Sequence, residues 1–151
     1  MLRSLSNNWA PPRRLPRGRL AAARYLPQSL LMVVVTRLAL SFASLTRLRL
    51  WLLPSVVPTR HDLVEAARMA WGVRVVSRLV PFASCLTQAQ ACQLLLARRG
   101  IASRLCLGVR EGRSGGFEAH AWLICEDRLV LGGEGGRVGT FRLLTELGAV
   151  R

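Results

Sequence analysis

The chain predicts an α+β fold, with N-terminal helices followed by one helix packed on a small antiparallel sheet, and three observations predict it. Apolar residues recur at helical spacing from Gln28 to Leu79 and again from Ser84 to Arg99. Residues Arg104 to Arg110 and Phe117 to Cys125 alternate with period two. Between those two runs, Gly112-Arg113-Ser114-Gly115-Gly116 reads as a hairpin loop. A length of 151 residues, 51% hydrophobic, suits one domain around a single core.

The elements divide into an arm over residues 1–25, a helical segment over 26–80 and a core over 81–151. Pro11, Pro12, Pro16 and Gly18 among arginines make the arm too polar to order itself, and we expect it to be flexible. Its composition is shared with transit peptides, yet no A-x-A type cleavage site follows and the apolar run continues as helix. From Gln28 to Leu53 we expect one helix or a pair, ended by Pro54 and Pro58. Arg37, Arg47 and Arg49 interrupt its apolar runs, so no stretch reaches the ~18 to 20 residues of a spanning helix. A helix lying on a membrane surface, or a face for a partner protein, stays open.

Thr59-Arg60-His61-Asp62 reads as a capped start for a helix running to Leu79, with Leu63, Val64, Ala67, Ala70, Trp71 and Val75 as its core stripe. His61 is expected in solvent. After Pro81 a second helix begins with Ser84 as its cap and stops at Gly100.

The charge of +14 suggests nucleic acid or an anionic membrane, but its origin weakens that inference. All 22 basic residues are arginine, which fits GC-rich coding. Residues 1–60 carry ten arginines and no acid, whereas 61–151 carry twelve arginines and eight acids, about +4. No nucleic-acid partner is expected.

Chemistry enters with Cys85. Position one of a helix presents unpaired amides and the positive end of the helix dipole, both of which favour a thiolate. His120 lies in the strand Phe117–Cys125, sharing a face with Glu118, Trp122 and Ile124. We expect that face to meet the Cys85 helix. A thiol and an imidazole so placed are the parts needed to cleave or transfer an acyl group through a thioester. Alone, Cys85 reads as a small buried hydrophobe and His120 as a satisfied strand histidine; together they read as a site.

The remaining cysteines are controls. Cys92 is seven residues further along the helix, roughly 10 Å, too far for a disulfide with Cys85. Cys106 and Cys125 fall within strands. No metal-ligand spacing occurs, so neither metal nor cofactor is expected, and four unpatterned cysteines fit a reducing cytoplasm. A third catalytic group belongs on the next strand. A three-residue turn places Glu134 opposite His120, a two-residue turn places Gly133 there, and Asp127 is roughly 23 Å away along the strand.

The blocks Cys85-Leu86, Arg98-Arg99-Gly100-Ile101, Gly108-Val109-Arg110 and Ala119-His120-Ala121-Trp122, in order and at fitting intervals, resemble the peptidase half of the lasso-peptide maturation B proteins, within the transglutaminase-like, papain-related superfamily. The resemblance implies a papain/transglutaminase-like core in 81–151 and a cysteine peptidase that removes the leader from a ribosomally made precursor peptide. It implies Cys85 as nucleophile and His120 as general base, then acid. The family's Asp falls at Gly132 or Gly133, leaving the triad incomplete or completed by Glu134. Partners implied are a separate leader-binding winged-helix protein and an ATP-dependent macrolactam cyclase. A same-fold acyltransferase, an inactive scaffold and a non-catalytic basic protein are the alternatives.

Overall fold

A computed structural model describes residues 19–54, 57–112, 115–133 and 138–149. In chain order the elements are α1 (Arg19–Ala23), α2 (Leu26–Phe42), α3 (Leu45–Leu52), α4 (Leu63–Ser77), α5 (Cys85–Arg98), β1 (Arg104–Glu111), β2 (Phe117–Cys125), β3 (Arg128–Leu131), a 3-10 turn at Val138–Thr140, and β4 (Arg142–Gly148). The strands form one antiparallel sheet in the order β3-β2-β1-β4. This is the α+β class predicted.

The expected arm gives way to α1 at Arg19, and both Ala22 and Tyr25 are buried. Residues 1–18 lie outside the described residues. Tyr25 is drawn in because its ring buries while its hydroxyl donates to Glu65 Oε1 at 3.2 Å. The stretch 28–53 is a pair of helices, broken where Ser44 turns extended and its side chain accepts from the Arg47 amide. Contrary to the sequence expectation, the helical run Ala21–Phe42 is long and apolar enough to cross a membrane by length and composition, with a mean hydropathy of 1.4. Arg24 and Arg37 are too few to break that count, although Ser29, Met32, Val33 and Thr36 are buried within the fold.

The start of α4 departs from the sequence reading. Residues 59–62 are extended, because Arg60 bridges Ile101 and exchanges hydrogen bonds with Gly100 and Ala102. Asp62 is therefore the cap, accepting from the Glu65 amide at 2.9 Å. Glu65 then pairs with Arg60 at 3.0 Å and Arg99 at 3.4 Å, tying α4 to the end of α5. The buried stripe of α4 is Ala66, Met69, Ala70, Val73 and Val76 rather than the one expected, of which only Ala70 is buried. Trp71 is half-buried and Val64 exposed. Two apolar stripes run along this helix, and the smaller side chains take the inner one because α2 and α5 approach closely there.

Helix α5 matches its expected bounds. Its C-terminus closes in a Schellman motif, with Ile101 N–H on Leu96 O and Gly100 N–H on Ala97 O, and Gly100 at φ +70° takes the left-handed position. Gln93 donates to Ser103 O and Leu147 O, fixing the middle of α5 against the start of β1 and the end of β4. Buried Arg49 of α3 donates to Gln90 Oε1, Gln93 Oε1 and Gly148 O, so three elements share one guanidinium. Leu94, Leu96, Leu105 and Leu123 are buried between α5 and the sheet.

Candidate active site

Helix α5 brings Cys85 to its first position with Ser84 as N-cap, as the sequence indicates. The Ser84 side chain accepts from the Thr87 amide at 3.3 Å, and Ser84 O takes the Gln88 amide at 3.0 Å. Among the described residues no backbone acceptor takes the amides of Cys85 or Leu86. Those two N–H groups are what a helix start offers to an anion, whether a thiolate or the oxyanion of an attacked carbonyl.

All four cysteines are free, and only Cys85 is not buried. Burial pushes the thiols of the other three up: Cys106 to about 11, Cys125 to about 12, and Cys92 higher still. A thiol held at about 11, as Cys106 is, keeps about a hundredth of the ordinary thiolate. Iodoacetamide at pH 8 is expected to alkylate Cys85 promptly in the native protein and all four cysteines only after unfolding, read by peptide mass spectrometry. Prompt native labelling of Cys106 or Cys125 would contradict the burial that sets them apart.

His120 lies in β2 opposite Gly108 of β1. Its Nε2 sits 2.7 Å from Gly132 O. A carbonyl only accepts, so Nε2 carries the proton and Nδ1 is left as the nitrogen able to take one. The ring is walled by Trp122 at 6.1 Å and Phe141 at 5.2 Å between centroids, and Arg110 covers Phe141 in turn.

The face assigned to His120 needs correction. Ala121, Leu123 and Cys125 are the β2 residues that join the core with α5. Trp122 and Ile124 form a second cluster with Cys106, closed by Leu129, Val138 and Phe141. Alternation defines two faces without saying which meets the helix, and the flat face of small and aliphatic side chains packs there while the indole needs the looser cover of the Val138–Phe141 segment. His120 therefore shares the side of Trp122 and not that of the helix. Among the described residues no hydrogen bond joins Cys85 Sγ to its ring.

The topology nonetheless sets both groups at one end of the molecule. The chain reverses at Gly100, and Gln93 is anchored at the level of Ser103. Cys85 is eight residues up the helix from Gln93, about 12 Å at 1.5 Å per residue. Gly108, the register partner of His120, is five residues up β1 from Ser103, about 16 Å at 3.3 Å each.

The third group is a backbone carbonyl that sequence reasoning missed. Cys125 pairs with Arg128 across a two-residue turn in which Glu126 and Asp127 both have positive φ. A bulge then shifts the register, so that Leu123 faces Leu131. Gly132 follows at φ +87°, so close to β2 that a Cβ there would stand 2.8 Å from Ala121 O and Trp122 Cβ. The sequence signal was the glycine pair itself, read only as a missing Asp. Glu134 lies outside the described residues. Phe141 had no signal, since β4 and its approach were not anticipated. His61 is exposed, as expected, with Nδ1 3.7 Å from Glu126.

No curated protein and no solved structure matches the chain. A family model described as the transglutaminase-like superfamily matches residues 29–145, from within α2 to within β4. The match takes in α2, α3 and α4 together with α5 and the sheet. A cysteine on the first turn of a helix, a histidine on the second strand of the sheet behind it, and a match over more than half of its length together say that this chain belongs to the transglutaminase-like superfamily.

Proposed function

We propose that this protein is a cysteine peptidase that removes the leader from a ribosomally made lasso-type precursor peptide in the cytoplasm. The observation that carries the reading is the seat of Cys85, a half-buried thiol on the capped first turn of α5 beside two amides that no backbone acceptor among the described residues takes. In this mechanism Cys85 attacks the carbonyl at the leader junction, and the Cys85 and Leu86 amides hold the oxyanion. His120 takes the thiol proton on Nδ1 and gives it to the departing amine; water then frees the leader acid. Because the His120 ring stands on the sheet face away from α5, this step requires the start of α5 and the His120 end of β2 to rearrange until Nδ1 reaches Sγ, a larger change than the tightening of a loose catalytic hydrogen bond. The Gly132 carbonyl holds the ring, and Glu134 remains a candidate third residue.

A separate winged-helix protein presents the leader, and an ATP-dependent macrolactam cyclase consumes the freed core. No nucleic acid takes part. The test is mass spectrometry of a precursor incubated with the full chain, with and without the leader-binding protein. Free leader acid and free core amine are expected, at a rate that rises with the partner. A leader joined to an added amine would make the protein an acyltransferase of the same superfamily instead. An intact precursor under both conditions would remove the peptidase reading.

A further inference from the structure

Helix α2 turns two apolar faces outward from its axis, and only one of them has a partner. Met32, Val33 and Thr36 are buried, whereas Leu30, Leu31, Val34 and Leu38 stay exposed. Leu30, Val34 and Leu38 recur every four residues, so they form one ridge. The turn after α4 lies alongside, and together they leave a groove of about 410 Å³ lined by that ridge, Leu79, Val80 and Pro81. Leu79 is 73% exposed and Leu38 54%, which is a large apolar surface for a chain with ample charge to cover it.

One cation stands in this groove. Arg37 lines it, with NH1 on Ser41 Oγ and the guanidinium 5.8 Å from the centre of the Phe82 ring. Its NH2 has no hydrogen-bond partner among the described residues, and no carboxylate among them lies within 4.0 Å of the guanidinium. A half-buried guanidinium facing hydrocarbon with an unused donor calls for an acceptor from outside, and a carboxylate is the acceptor it pairs with most strongly.

The groove also leads to the nucleophile. Pro81 is four residues before Cys85, a reach of at most about 14 Å. The linking residues are pinned to α5, because Ala83 N–H bonds Val80 O and Gln88 donates to Ala83 O. Phe82 in between is held at φ 59° and 84% exposed, a costly conformation for an aromatic residue beside a site.

We propose that this groove seats an apolar stretch of the substrate peptide that carries one carboxylate, and that Arg37 reads the carboxylate while Leu38 and Leu79 hold the apolar side chains within about four residues of the scissile bond. The inference rests on the peptidase reading for the word substrate, but binding alone can test it. The probes are short fluorescein-labelled peptides with a run of leucine and valine flanked by a single glutamate, or by lysine in its place. Fluorescence anisotropy on the full chain carrying Cys85→Ala is expected to show the glutamate peptide binding about tenfold tighter than the lysine one, the scale of one charge-assisted hydrogen bond. Arg37→Glu should reverse that preference, and Leu38→Asp should weaken both probes. Arg128→Glu, at the exposed first position of β3, should leave the preference in place, which separates Arg37 from the general positive charge.

Loss of discrimination in the Arg128→Glu protein, or its survival in Arg37→Glu, would overturn the proposal. So would Leu38-dependent binding to phosphatidylglycerol vesicles with no Arg37-dependent peptide binding, which would assign the face to a membrane. Cleavage by the wild type with a KM indifferent to Arg37→Glu would sink the groove and spare the peptidase. Arg37-dependent binding without cleavage of any peptide would do the reverse.

Discussion

Replacing Cys85 with alanine is expected to lower turnover of a precursor by at least about 10⁴-fold without measurable loss of stability, since removing a covalent nucleophile leaves only binding and oxyanion contacts. The side chain is half-buried and packs at the rim of the core, so truncation opens little cavity. His120→Ala should cost on the order of 10³-fold, and its thermal midpoint should fall slightly because the ring's contacts with Trp122, Phe141 and Gly132 O go with it. The contrast lies with Cys106→Ala and Cys125→Ala. Those thiols are protonated across the working range and enclosed in hydrocarbon, so each change should lower stability by about 1 to 2 kcal/mol and leave kcat untouched. Hydrolysis by Cys85→Ala at the wild-type rate would make the sulfur a bystander and place the chemistry elsewhere.

Much of this arrangement is legible in the sequence because local rules govern it. Ser84 followed by an apolar helical run, and Gly100 at its end, fix α5 to the residue, since capping and left-handed glycine are short-range effects. The hairpin of β1 and β2 is legible for the same reason: period two and a glycine-rich loop leave one register. What the sequence conceals is decided by distant partners. Thr59 makes as good a cap as Asp62 until Arg60 is seen pairing with Gly100 and Ala102, which forces the chain straight. Trp71 has the right spacing for the core, but Met69 and Val73 on the adjacent stripe are what face α2 and α5. A catalytic pair invites the expectation that His120 faces the helix. The face is in truth chosen by Leu123 and Ala121, whose flat profile suits a helix better than Trp122 does. The carbonyl of Gly132 was invisible for a simpler reason, namely that main-chain groups leave no letter in a sequence.

That carbonyl supports the second large effect. Gly132→Ala is expected to lower stability by about 3 kcal/mol, of which the left-handed backbone at φ +87° accounts for about 1 and the rest is steric. The steric part is firm because the added Cβ would meet Ala121 O at 2.8 Å and Trp122 Cα at 2.9 Å, atoms of the central strand that cannot swing aside. For a domain of this size the thermal midpoint should fall by about 6 to 12 °C. Gly100→Ala is the matched control: its φ of +70° is as strained for alanine, yet nothing lies within 4 Å of the added carbon. It should cost about 1 kcal/mol and no activity. The two variants differ further in what the residue holds. Pushing Gly132 off β2 moves the oxygen that fixes the His120 tautomer, so turnover below the melting range should drop with kcat while KM stays. If Gly132→Ala melts no lower than Gly100→Ala, the close approach to β2 is not a feature of the folded protein. If it melts lower but turns over normally, the carbonyl is a structural contact only, and the group that orients the imidazole must be sought among side chains, with Glu134→Gln as the next variant to measure.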